Sequence, residues 1–336
     1  MSDHIIITMN RRSVRYVKID SFSDLPSRLN SGFIGLSILA YVFQFFLLPG
    51  LLEHSLGWAL LIPISLLLVI TSGVLIHEAI HNLLLPTLNG NKIFGRVLGI
   101  LMGVSFDLQR YDHLQHHRYN RTEKNCTDIT IGQLSFKQKW VYLYNNLIGL
   151  FMGEFIFNIF TCFFPRSVIE QKRCFTPNQN KPESSGQIAT RQLLANGSLA
   201  NVRVDGVLIL VINGVSLYCF RNHLSLFAGL FISRALILTV LDSFAHFKTP
   251  INARWFAKNV SLPHFIEKYV FLNFNLHGVH HIYPTASWIE LPNLMTKNNL
   301  GITFTYHQNL WQALRDKFSN PKSLTDFPQD VQNFPI

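Results

Sequence analysis

Nine histidines stand in formation along the chain. His77-Glu-Ala-Ile-His81 is H-x-x-x-H, His113-Leu-Gln-His116-His117 and His277-Gly-Val-His280-His281 are both H-x-x-H-H, and His246 closes Asp242-Ser-Phe-Ala-His246. With 14 histidines in 336 residues, one accidental H-x-x-H-H is expected roughly 0.02 times over the chain. On a helix, positions i, i+3 and i+4 share a face, so each box turns its imidazoles one way, and neutral imidazoles that converge bind metals. Nine are too many for one tetrahedral site, which takes three or four protein ligands, and they suit two ions. Spacing alone does not name the metal, because imidazole serves Zn, Cu, Fe and Ni. Isolated histidines such as His54, His223, His264 and His307 read as ordinary hydrogen-bonded side chains. Glu78, Asp112 and Asp128 lie near the boxes and are candidates for orienting imidazoles, though each also reads as an ordinary polar residue.

The elements that must position these boxes are apolar. Charged residues make up 14% of the chain, against about 25% in an average soluble domain, and mean hydropathy is positive at +0.21. Disorder, coiled coil, collagen and a secreted disulfide scaffold are excluded, and the four cysteines are too irregularly spaced for a zinc ribbon or a disulfide framework. Spans of about 20 apolar residues cross a bilayer. Residues 32–52, 57–77, 205–222 and 224–243 qualify, the last two as a hairpin turned at Arg221-Asn222-His223. Segment 140–164 is apolar but interrupted by Asn145, Asn146, Glu154 and Asn158, and six basic residues follow it before Val204. It is therefore expected to lie in the interface or to re-enter. The expected architecture is all-α: one integral membrane domain over 1–336, about four transmembrane helices, and a cytoplasmic helical cap at 249–336 completing a di-metal site. Arg11, Arg12, Arg15, Lys18 and Arg28 precede the first span without an apolar run before them, which places the N-terminus inside and argues against a cleaved signal. All nine histidines then meet the cytoplasmic face.

These boxes, in this order and on this layout, resemble the membrane-bound fatty acid desaturase superfamily, which includes acyl-lipid and acyl-CoA desaturases, sphingolipid desaturases and hydroxylases, and carotenoid ketolases and hydroxylases. The likeness covers roughly Leu66 to Leu291. It includes His117-Arg-Tyr-Asn after the second box, and His280-His-Ile-Tyr-Pro284 and Trp288-Ile-Glu-Leu-Pro292 after the third, similar to the H-H-x-x-P…L-P tail of desaturases. The resemblance implies two iron ions held by His77, His81, His113, His116, His117, His246, His277, His280 and His281, dioxygen as co-substrate, and electrons from an external donor. Acyl-CoA desaturases carry, four residues before the lone His, an Asn that holds a water on one metal. Asp242 occupies that position here, as a direct ligand or a neighbour of one. His277 stands where front-end desaturases typically have Gln, and H-x-x-x-H matches acyl-lipid enzymes rather than the H-x-x-x-x-H of acyl-CoA desaturases. The implied reaction is insertion of a double bond into a fatty acyl chain esterified to a lipid. No His-Pro-Gly-Gly signature of a fused b-type cytochrome is present, so a separate ferredoxin or cytochrome is implied. The net charge of +10 suits an acidic donor and anionic membrane lipid alike; no nucleic-acid partner is expected.

Two other readings stay open. A hydroxylase or ketolase of the same superfamily, acting on a carotenoid or another long lipid, begins with the same hydrogen abstraction. Residues 77–81 also satisfy H-E-x-x-H, in which Glu78 would be the general base of an intramembrane zinc metalloprotease. That reading needs a single zinc and leaves most of the boxed histidines unused. A metal transporter would want ionisable residues inside the spans, whereas these histidines sit past the span ends.

Overall fold

The computed structural model describes residues 25–125, 135–173, 183–247, 249, 254–301 and 304–305. Five long apolar helices dominate: α1 (Ser27–His54), α2 (Leu56–Ile80), α5 (Phe136–Phe163), α8 (Leu199–Cys219) and α9 (Leu224–His246). Between them come α3 (Leu88–Met102), α4 (Phe106–Tyr119), α6 (Arg166–Arg173) and α7 (Ser185–Ala195), and after them the short helices α10 (His264–Tyr269), α11 (His277–Ile282) and α12 (Leu291–Lys297). Two strands of two residues, β1 (Val260–Ser261) and β2 (Phe304–Thr305), pair in parallel. Length and composition make this a multi-pass membrane protein. Leu39, Leu60, Ile64, Val211 and Leu224 keep their apolar side chains on the outside of the bundle, as helices facing hydrocarbon do.

Local chemistry sets the element ends. Thr87 accepts a hydrogen bond from Gly90 N–H and starts α3, and Gly103, at φ 103°, ends it. Capping boxes open α5 (Ser135 with Gln138) and α7 (Ser184 with Gln187). Asn82, at φ 61°, turns the chain out of α2 immediately after His81.

Two expectations change. The span expected at 205–222 begins at Leu199, because the polar residues ahead of it have partners. Asp205 is fully buried and accepts from Arg96 Nε at 3.0 Å and Ser105 Oγ at 2.8 Å, while Asn201 donates to Asp107 at 2.7 Å. These bonds tie the start of α8 to the α3–α4 corner. Residues 140–163 lie within the continuous helix α5 and do not double back, and among the described residues five helices, the four expected spans and α5, are long and apolar enough to cross. The polar residues that seemed to break the run are absorbed by packing. Asn146 and Asn158 are buried, and Glu154 accepts from Gln109 of α4 at 2.9 Å. The second half of α5 runs against the same end of the bundle as α4. Its Phe151 rests on Gly103, Gly206 of α8 fits against Asn158 and Cys162, and Arg203 donates to the carbonyls of Thr161 and Phe164.

Candidate metal centre

Each histidine box sits where a helix ends or begins at one end of the bundle. His77 lies in the last turn of α2 and His81 just past it, His113, His116 and His117 fill the last two turns of α4, and His246 is the last residue of α9. The third box is α11 itself, with His277, His280 and His281 all buried. A helix of six residues is too short to hold its own shape, so this one is clamped from outside. Val279 N–H donates to Asn259 Oδ1 at 3.0 Å, and Gly278 lies so close to the Ala257 carbonyl that a Cβ there would collide.

The nine imidazoles divide into two groups, within each of which the ligand atoms all lie within 4.8 Å of one another. The first holds His77, His81, His113, His117 and His280; the second holds His116, His246, His277 and His281. The i, i+4 pairs 113/117 and 277/281 stay together, while the intervening i+3 member of each goes to the other group. The groups adjoin, with the rings of His117 and His281 4.5 Å apart between centroids.

Nitrogen positions within each group suit a shared ion. In the first, His81 and His113, His113 and His117, and His117 and His280 each approach Nε2 to Nε2 at 3.0 Å. In the second, His277 Nε2 lies 3.2 Å from that of His246 and 3.1 Å from that of His281. Two nitrogens about 2.1 Å from one ion and at right angles to each other stand about 3.0 Å apart. Hydrogen bonds cannot satisfy such a chain, since each Nε2 offers either one proton or one lone pair. His77 Nε2 is buried with no hydrogen-bond partner. Burial, reinforced by Arg110 beside His81 and by the crowding of imidazoles that cannot all carry charge, holds the rings neutral with their lone pairs free: His81 and His277 are lowered from 6.5 to about 3, and His113, His117, His280 and His281 fall well below the usual imidazole range. These residues fit a pair of nitrogen-bound transition-metal ions.

A family model described as fatty acid desaturase matches residues 53–303, which is 251 of the 336 positions. The chain belongs to the fatty acid desaturase family. No curated protein and no solved structure gives a significant match.

The carboxylates expected to assist this desaturase-family centre fare differently. Glu78 is 2% exposed, accepts from Trp288 N–H at 3.2 Å and has its other oxygen 3.8 Å from His77 Nδ1. It braces the first box against the chain that follows the third. Asp242 is exposed and belongs to neither group of imidazoles. Asp112 is half-buried with its carboxylate over Gly186 of α7, and Asp128 lies outside the described residues. His54, His223 and His264 stay out of both groups, and His307 is likewise outside the described residues.

Asparagines emerge as partners that the box spacing did not disclose. Asn125 Oδ1 lies 3.3 Å from His116 Nδ1; an amide oxygen only accepts, so Nδ1 carries the proton and Nε2 presents its lone pair. Asn125 in turn donates to Ser185 at the start of α7 at 2.9 Å. Asn120 donates to the carbonyls of Arg254 and Phe256 beside His281. Its place directly after His117-Arg-Tyr was the one signal in the sequence.

Proposed function

We propose that this chain is a dioxygen-dependent di-iron desaturase that introduces a double bond into a fatty acyl chain of a membrane lipid. The observation that carries the reading is the gathering of nine neutral imidazoles into two adjoining groups where apolar helices end, in a chain of the desaturase family. Bound there, two iron ions would supply the oxidising power, with dioxygen, to remove hydrogen from an unactivated methylene. The chain itself holds the imidazoles uncharged and fixes their faces: Asn125 orients His116, and the Glu78–Trp288 bond holds box one to the cap. In this reading the two further electrons come from an acidic carrier. The net charge of +10 and the exposed Arg118 and Arg254 near the second box suit it. The acyl-lipid preference rests on the H-x-x-x-H spacing of box one and on His277.

The reading places the centre on the cytoplasmic face, with α1, α2, α8 and α9 crossing and α5 lying along the cytoplasmic end of the bundle. The contacts of Asn158 to Phe164 with Arg203 and Gly206 at the start of α8, and of Glu154 with Gln109 of α4, support that layout.

Elemental analysis of protein purified in mild detergent, with Mössbauer spectra after iron labelling, tests the centre, and lipid profiling of expressing cells tests the reaction. About two coupled irons per chain and new unsaturated acyl chains are expected. A hydroxylated or keto lipid would replace desaturation by oxygen insertion, and one zinc with no iron would restore the metalloprotease reading, in which Glu78→Gln is inactive yet metal-replete.

A further inference from the structure

Between α10 and α11 the chain holds two unfavourable backbone conformations side by side. Leu272 and Asn273, at φ 44° and 56°, both stand in the left-handed region. Asparagine enters that region readily, but a leucine there is an outlier, and it persists only where its surroundings overdetermine it. Leu272 is fully buried in the core shared with α2, and Thr71 of α2 donates to the Val270 carbonyl at 3.0 Å. Asn273 donates through its backbone to the Glu267 carbonyl at 2.8 Å and through its side chain to the Trp288 carbonyl at 3.1 Å. The residue this turn delivers is Phe274. Its ring centroid lies 4.5 Å from that of His77 in the first group and 4.6 Å from that of His277 in the second, with planes inclined at 58° and 69°.

A metal-binding imidazole is ordinarily held at one angle by a hydrogen bond from the nitrogen that faces away from the ion, as Asn125 holds His116. His77 and His277 lack that bond. Nδ1 of each is buried with no hydrogen-bond partner, and Glu78 Oε1, 3.8 Å from His77 Nδ1, is too far to accept one. Phe274 bears on both of these rings. Inclined aromatic rings attract edge to face, and a phenyl ring wedged against two imidazoles limits how far each can turn about its Cβ–Cγ bond. It also brings no donor atom that would compete for an ion. We propose that Phe274 is a positioning residue for the metal centre, its ring replacing the missing Nδ1 hydrogen bonds and fixing one imidazole of each group at the angle its ion needs. The proposal rests on the two-ion reading of the centre above, and on neither iron nor a lipid substrate.

The test is a titration of cobalt(II) into the metal-stripped full chain in detergent, read by visible d–d absorption and by competition with a chelator. The wild-type chain should take up two ions. Phe274→Met keeps an apolar side chain of similar volume but loses the plane; both ions should bind about 10–100-fold more weakly, and the spectrum at saturation should change in position and intensity. Phe274→Tyr keeps the ring and should restore both affinities. A side chain that only fills space would lower occupancy and leave the saturated spectrum unchanged. An unchanged saturated spectrum, wild-type affinities in Phe274→Met, weakening of one ion alone, or a Phe274→Tyr protein as weak as Phe274→Met overturns the proposal. Phe274→Leu repeats the measurement if Phe274→Met does not fold, and loss of fold in both overturns it too, because Phe274 would then serve the core and not the ions. Uptake of fewer than two ions by the wild type is a different failure, that of the two-ion reading itself, and takes the proposal with it.

Discussion

Histidine charge links the centre to pH. His81 and His277 titrate near 3 in the folded chain, against 6.5 for an unperturbed imidazole. Between those values the unfolded chain binds more protons, so the stability of the metal-free protein falls as pH drops from about 6.5 toward 3, and is insensitive to these groups above 6.5. Thermal unfolding of metal-stripped protein should show a melting temperature that declines steeply below pH 6.5, and bound ions should leave in the same window. A profile flat down to pH 5 would contradict burial of neutral rings. Each group has its own test. His116→Ala removes one of the four imidazoles of the second group, so turnover should vanish and metal content should drop from about two ions per chain to about one, with membrane insertion unchanged. Asn125→Ala leaves every ligand in place but frees the ring of His116; affinity at that ion should weaken by about 10–100-fold in a metal-competition titration. Asn125→Asp keeps the acceptor and should recover most of it.

Elements bring the boxes together through a few close contacts. α11 has six residues and owes its place to Asn259 and to the absent side chain at Gly278. Gly278→Ala should press a methyl group into the Ala257 carbonyl, destabilise the cap by about 1–3 kcal/mol, and lower metal retention before the bundle itself melts. Calorimetry paired with elemental analysis would show that order. The first box was legible because its i, i+4 spacing coincides with the end of an apolar span, and the second because i, i+3 and i+4 share one helix face. α11 was legible as ligands but not as an element, since six residues carry too little periodicity to read. The earlier start of α8 was hidden for a related reason: Arg203 and Asp205 look like the end of an apolar run until Arg96, Ser105 and the Thr161 carbonyl supply their partners.

At the scale of the whole molecule the open matter is how many of the five apolar helices cross. Asn125 at the metal end is joined to Ser135 by nine residues, and Phe164, at the other end of α5, accepts from Arg203 near the start of α8. If α5 crossed, one of its ends would lie far from the metal centre. The reading with four crossings predicts that Lys137→Cys and Arg118→Cys react with a membrane-impermeant reagent from the same side, and that Asn222→Cys, at the α8–α9 turn, reacts from the opposite side. Labelling of position 137 together with 222 would make α5 a fifth crossing.

By itself the sequence determined the composition of the membrane helices, the nine imidazoles and their convergence on one end of the bundle, because hydropathy and helical spacing are local properties written in neighbouring residues. The tertiary structure decided how the boxes divide into groups of five and four, which asparagine faces His116, and that Asp242 stays outside both groups. Those facts depend on contacts between segments tens to hundreds of residues apart, and packing settles them only when the helices meet.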